Sequence, residues 1–138
     1  MDPEGKTLKF VAAHMGGWRC WEEVPEQLSD TGVCLDTSFS TGRFYPVPDG
    51  YYDGKDVSLL DQEQFMELYR AFGPERLLFG TDSPWSSAEE SIQFIRDLPV
   101  SDEEKKKVLG GNAARLLKIQ CIRSGAGTRS TRPCCAGS

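Results

Sequence analysis

The stretch Leu77-Leu78-Phe79-Gly80-Thr81-Asp82-Ser83-Pro84-Trp85 constrains the fold more than any other. A short apolar run without alternation is the pattern of a strand buried on both faces, as in a parallel sheet. Gly80 suits close approach of a neighbouring backbone. Pro84 cannot donate to a ladder, so the strand must end near it. Asp82 is thereby expected at the C-terminal end of a buried parallel strand, the end at which α/β folds do chemistry. The plainer reading of such an Asp is a helix cap, but Ser86 and Ser87 lie nearer to the next helix.

Two more strands precede it. Leu8 to Ala13 reads as a buried strand ending at His14-Met15-Gly16-Gly17, and Val33 to Ser38 as a second, opened by Gly32. Trp18, Trp21, Val24 and Leu28 recur at helical spacing, with Pro25 either in the first turn of a short helix or kinking a longer one. Residues 40–55 form a loop with several Gly and Pro, long enough to suggest function or mobility. Phe65, Leu68, Tyr69 and Phe72 then make an apolar stripe. Their helix is expected to start with a capping box at Asp61 and Gln64 and to stop at Gly73-Pro74. A further helix spans about 87–98, and Ser101 with Glu104 makes a second box. Gly110-Gly111 is expected to break that helix, with Asn112 capping the last one.

Strands alternating with helices imply a parallel sheet. Three strands alone leave two outer edges with unpaired backbone groups, so a further part of the fold is expected beyond them.

Charge narrows the function classes. The chain has 138 residues and a net charge of −5. Residues 119–138 hold three arginines and no acid, leaving thirteen basic against twenty-one acidic side chains elsewhere. An acidic body argues against nucleic-acid binding. No apolar run approaches the roughly 20 residues a membrane helix needs, and the N-terminus shows no signal peptide. The five cysteines form no C-x-x-C pair. Cys20 and Cys34 are expected as buried free thiols, a pattern that suits the cytoplasm. The tail from 119 is read as disordered or aberrant, and residues 1–118 as the folded domain.

Four segments carry a resemblance: Phe10 to Gly17, Leu35-Asp36-Thr37-Ser38, Leu78 to Trp85, and Gly110-Gly111-Asn112-Ala113-Ala114-Arg115-Leu116-Leu117. In this order and spacing they resemble the C-terminal half of the amidohydrolase-related family. That metal-dependent TIM-barrel group includes aminocarboxymuconate-semialdehyde and resorcylate decarboxylases and several lactone and amide hydrolases. The resemblance covers about residues 5–118 and implies a partial (β/α)8 TIM barrel of α/β class, strands six to eight with their helices.

By the same resemblance His14 occupies the catalytic histidine position and Asp82 that of the metal-binding aspartate, which also takes a proton from water. The implied cofactor is a divalent metal, zinc foremost and manganese as the alternative. Family members bring further metal-binding histidines on earlier strands, whereas His14 is the only histidine here. One Asp and one His fall short of the about three protein ligands a zinc site needs. The chain therefore reads as a C-terminal fragment, its partners being a small-molecule substrate and either the missing N-terminal half-barrel or a second copy. Hydrolysis of a small amide, lactone or ester is the first expectation and non-oxidative decarboxylation the alternative. A non-catalytic half-barrel that associates through its open sheet edges is a third. Nucleophilic catalysis by Ser83 or Cys20 is weak, because no G-x-S-x-G elbow is present.

Trp18 and Trp85 are candidates to floor a pocket for a flat substrate, whereas Trp21 is assigned to packing. Arg43 is a candidate for holding a substrate carboxylate, with a solvated loop arginine as the plainer reading. Asp36 and Ser38 share one face of their strand. They either line the barrel mouth or orient neighbouring loops.

Overall fold

The computed structural model describes residues 8–45 and 58–119. The expectations for the loop at 46–57 and for the tail from 120 lie outside them. Three short strands, β1 (Val11–Ala12), β2 (Cys34–Asp36) and β3 (Leu77–Leu78), form a parallel sheet in the order β1-β2-β3. Val11 stands opposite Cys34, Leu35 opposite both Ala12 and Leu77, and Asp36 opposite Leu78. Leu35 and Leu77 are fully buried, as a sheet covered on both faces requires.

The expected strand at 8–13 is much shorter, and it is not buried. Leu8 and Phe10 are 62% and 65% exposed. β1 is an outer strand, and among the described residues no strand lies beyond it to cover them. Apolar composition reports a tendency to be buried; burial itself needs a neighbour.

Helix α1 is only Val24–Leu28, with Pro25 in its first turn. Of the two readings open for Pro25, the short helix is the one that forms. Helix α2 (Gln62–Phe72) begins with the expected reciprocal box. The Asp61 carboxylate accepts from Gln64 N at 2.8 Å, and the Gln64 side chain accepts from Asp61 N at 3.1 Å. Its stripe, Phe65, Leu68, Tyr69 and Phe72, is buried and joins Met15, Val24, Ile95, Leu98 and Val108 in the core. Burial, with the Glu104 carboxylate beside it, pushes the Tyr69 phenol well above its ordinary range. Helix α3 (Ala88–Asp97) is capped by Ser87, which accepts from Glu90 N.

Helix α4 (Asp102–Lys106) starts at the expected Ser101–Glu104 box. It runs through a wide turn at Lys107–Gly111 into α5 (Asn112–Leu117). The glycine pair interrupts the helix as expected, since two helical segments meet there at a kink. Gly110 is extended, and the Val108 carbonyl accepts from Phe79 N at 3.1 Å, tying the wide turn to the end of β3. Asn112 is not a cap. Its buried amide donates to the carbonyls of Pro74 (2.6 Å) and Leu77 (2.8 Å), pinning α5 to the start of β3. No helix among the described residues is long and apolar enough to cross a membrane.

Candidate functional site at the strand ends

Parallel strands deliver their C-terminal ends to one side, and here each end carries a residue in the left-handed region. These are His14 (φ 55) after β1, Phe39 (φ 55) after β2 and Asp82 (φ 56) after β3. That conformation costs a non-glycine residue roughly 1–2 kcal/mol, with Asp among the more tolerant. Strain of this kind persists where the surroundings over-determine it, and it clusters at working sites.

At β1 the chain turns through His14, Met15 and Gly16, the last with φ 91. A Cβ on Gly16 would lie 2.8 Å from Val24 Cγ1, so glycine is required for both conformation and space. Gly17 is extended, with only ordinary contacts around a notional Cβ, and needs no such freedom. Met15 is fully buried and anchors the turn. Trp21 Nε1 donates to the His14 carbonyl at 2.8 Å, confirming its structural assignment.

The imidazole is held from β2. His14 Nδ1 lies 3.0 Å from the Ser38 carbonyl oxygen and 3.4 Å from Ser38 Oγ. A carbonyl only accepts, so the shorter contact places the proton on Nδ1 and leaves Nε2 as the nitrogen able to take up a proton or a ligand. The His14 ring meets Phe39 edge-on at 5.8 Å, and Phe39 also packs on Trp18 (5.1 Å) and Phe44 (4.9 Å). Phe39 was not a sequence candidate. No periodicity marks it, since its role rests on contacts with residues far away in sequence.

Between β2 and β3 the approach is very close. A Cβ on Gly80 would stand 2.5 Å from Asp36 Oδ1 and 3.1 Å from Ser38 Cβ, which bears out its expected role. Thr37 Oγ1 donates to the Gly80 carbonyl (3.2 Å) and accepts from Gly80 N (3.1 Å). Ser38 reaches the His14 ring and the Asp36 side chain accepts from Ser38 N, so both residues help to order the strand ends. The loop after β2 is pinned in turn to the loop after β3. Tyr45 N donates to the Trp85 carbonyl (2.9 Å), and Ser87 N to that of Arg43 (3.2 Å). Ser86 Oγ donates to the Thr81 carbonyl.

Asp82 is exposed, and Trp85 is 46% exposed at the open side of this loop. Trp18 is half-buried against Phe39. Arg43 pairs with Glu90 at 3.5 Å, so its charge already has a protein partner. Cys20 is exposed and Cys34 half-buried, against the expectation that both are buried: Cys20 lies in the turns before α1, where the short helix leaves it uncovered. A cavity of about 620 Å³ lies elsewhere, between Arg19–Pro25 and Ser58–Leu68, and contains neither His14 nor Asp82.

No group of three His, Cys, Asp or Glu side chains that could hold a metal ion occurs among the described residues. His14 and Asp82 therefore make no metal centre by themselves, although the exposed Asp82 carboxylate is suited to serve as one ligand.

Comparison with known proteins shows the family. Residues 3–119 match the Amidohydrolase family. Gamma-resorcylate decarboxylase of Polaromonas sp. (strain JS666) is 24% identical over 124 residues, which is 82% of this chain and 35% of that protein. The enzyme of the same name from Rhodococcus jostii (strain RHA1) is 25% identical over 127 residues, 84% of this chain and 36% of its own. The chain thus spans about a third of the length of the curated relatives it matches.

Among solved structures, 5-carboxyvanillate decarboxylase from Sphingomonas paucimobilis superposes with a TM-score of 0.57 at 22% identity, over 82% of this chain and 34% of that one. Dihydroxybenzoic acid decarboxylase from Polaromonas sp. JS666, solved with manganese and 2-nitroresorcinol, gives 0.55 at 18% identity, over 80% of this chain and 34% of that one. At such identity the structural likeness speaks for the fold alone. These relatives are decarboxylases, so the expected hydrolase reading finds no support among them and the decarboxylase alternative fits better. The metal in the second structure is manganese, not zinc. By the match over residues 3–119, this chain belongs to the amidohydrolase family.

Proposed function

We propose that these residues form the last three strands of a metal-dependent (β/α)8 barrel, strands six to eight, whose reaction is non-oxidative decarboxylation of a hydroxylated aromatic acid. The observation that carries the reading is the placement of His14 and Asp82 in strained conformations on outer strands of one parallel sheet, both at its C-terminal side. The names and the manganese of the relatives support the reaction class and the metal.

In such a reaction the carboxylate leaves as carbon dioxide and a proton takes its place on the ring carbon. Two duties fall to this chain. His14, with Nδ1 engaged by the Ser38 carbonyl, handles the proton through Nε2. Asp82 contributes one anionic ligand to a divalent metal, whose other ligands come from outside the described residues. When bound, that metal would hold and polarise the oxygens of the substrate. Trp18 and Phe39 offer an aromatic wall for a flat ring. Arg43 would have to leave Glu90 to meet a carboxylate, and Trp85 would cover the open side of the loop.

The exposed Phe10 and Val11 favour a strand pairing with the free edge of β1. In this reading the preceding part of the barrel supplies it. A half-barrel that only self-associates would instead use a second copy.

The test is a chimaera in which the N-terminal two thirds or so of the Polaromonas gamma-resorcylate decarboxylase precedes residues 1–119 of this chain. Carbon dioxide release from 2,6-dihydroxybenzoate is measured with manganese present. We expect release, cut by about 100-fold or more in His14→Gln. A folded chimaera that hydrolyses esters or lactones but releases no carbon dioxide would overturn the decarboxylase assignment.

A further inference from the structure

We propose that Asp36 is a positioning residue for His14: acting through Ser38, it selects the imidazole tautomer that carries its proton on Nδ1. The inference rests on the reading of His14 as the proton-handling group, but its structural basis is separate. Asp36 Oδ1 accepts a hydrogen bond from Ser38 N at 2.5 Å. The other end of the same residue, the Ser38 carbonyl, receives His14 Nδ1 at 3.0 Å and Ser40 Oγ at 3.0 Å. Both lone pairs of that oxygen are then used, and Ser38 is held at its nitrogen and at its oxygen. Ser40 is fully buried and Ser38 nearly so, which shields these bonds from water.

Gly80 makes the arrangement possible. Only a residue without Cβ leaves the Asp36 carboxylate where it reaches Ser38 N. Thr37 locks the two strand ends together through both its bonds to Gly80. The segment after β3 thus leaves room for the Asp36 carboxylate at the end of β2, which holds Ser38, whose carbonyl faces the histidine after β1. A competing arrangement exists within the same geometry. The Ser38 hydroxyl, 3.4 Å from Nδ1, would donate to a bare Nδ1 and leave the proton on Nε2. That tautomer would deny Nε2 its role as acceptor.

The chain's one histidine makes the test direct. Long-range proton–nitrogen NMR of the uniformly labelled chain, recorded at alkaline pH, yields one imidazole pattern and reads the tautomer without substrate or metal. We expect Nδ1–H in the wild type and in Ser38→Ala. We expect it also in Asp36→Asn, whose amide oxygen still accepts from Ser38 N. In Asp36→Ala the ratio of Nδ1–H to Nε2–H should fall by about five- to tenfold, the effect of roughly one net hydrogen bond. Gly80→Ala should move it the same way from the opposite strand, and this variant carries the test if Asp36→Ala fails to fold.

Nε2–H in the wild type overturns the proposal whatever the variants do. So does an unchanged ratio in folded Asp36→Ala or folded Gly80→Ala. If the tautomer behaves as expected but His14→Gln retains full carbon dioxide release in the chimaera, the positioning stands and the catalytic reading of His14 fails.

Discussion

Replacing Asn112 by Ala should destabilise the fold more than any exposed substitution, for a reason local to two carbonyls. The Asn112 amide is buried and donates to Pro74 O and Leu77 O at 2.6 and 2.8 Å. Alanine removes both donors and brings nothing to replace them. Each lost hydrogen bond costs about 1 kcal/mol net, and a carbonyl stranded away from water costs somewhat more. The sum is about 2–3 kcal/mol. For a folded unit of roughly 100 residues that lowers Tm by about 10 °C. Urea unfolding followed by tryptophan fluorescence is the assay, with an unchanged m-value as the sign that only stability moved.

Asn112→Asp sharpens the test. At neutral pH it sets a carboxylate against two carbonyls and should be worse than Ala. Protonation returns one donor, so the folded-state pKa of the new acid lies above its unfolded value. Stability should therefore rise as pH falls through that raised value. An Ala variant within about 0.5 kcal/mol of wild type, the usual range for surface substitutions, would refute the pinning role of this side chain.

Two neighbouring glycines should behave differently. Gly16→Ala forces a side chain into positive φ and against Val24, and should cost about 2–3 kcal/mol, whereas Gly17→Ala should stay within about 1 kcal/mol; equal effects in chemical denaturation would contradict the turn geometry. Acid should weaken the fold through Glu75 and Glu104. A hydrogen bond from Lys107 holds the Glu75 carboxyl below the usual range, and bonds from Ser101 do so for Glu104. Their contribution is complete above the ordinary value of 4.5 and is lost as pH falls through the lowered folded-state values. The urea midpoint should fall across that window, and less steeply in Glu75→Gln; a midpoint that does not move on acidification would contradict this.

What the sequence made legible was mainly local. The boxes at Asp61–Gln64 and Ser101–Glu104, the stripe on α2 and the stop at Gly73 each depend on residues within one or two turns. Gly80 was legible as a point of close approach and Asp82 as a strand-end group, because the buried β3 advertises its own end, while His14 was marked by the Gly-Gly turn after it. The exposure of Leu8 and Phe10 was not legible, since the presence or absence of a neighbouring strand is a tertiary fact. Asn112 was misread as a cap because its partners, Pro74 and Leu77, lie more than thirty residues away. Phe39 and the Ser38 carbonyl escaped for the same reason: each meets His14 from twenty-four or more positions along the chain. The choice between hydrolysis and decarboxylation was hidden at a deeper level. By the resemblance, the same metal ligands serve both reactions, and substrate contacts decide between them.

The most direct test of the account is manganese stoichiometry in the chimaera with and without Asp82→Asn, read beside carbon dioxide release from 2,6-dihydroxybenzoate. The account predicts about one manganese per chain in the parent, with the bound metal and the carbon dioxide release lost together in the variant. A folded Asp82→Asn chimaera that keeps its manganese and its activity would contradict the assignment of Asp82, and with it the claim that these three strand ends form part of a metal-dependent active site.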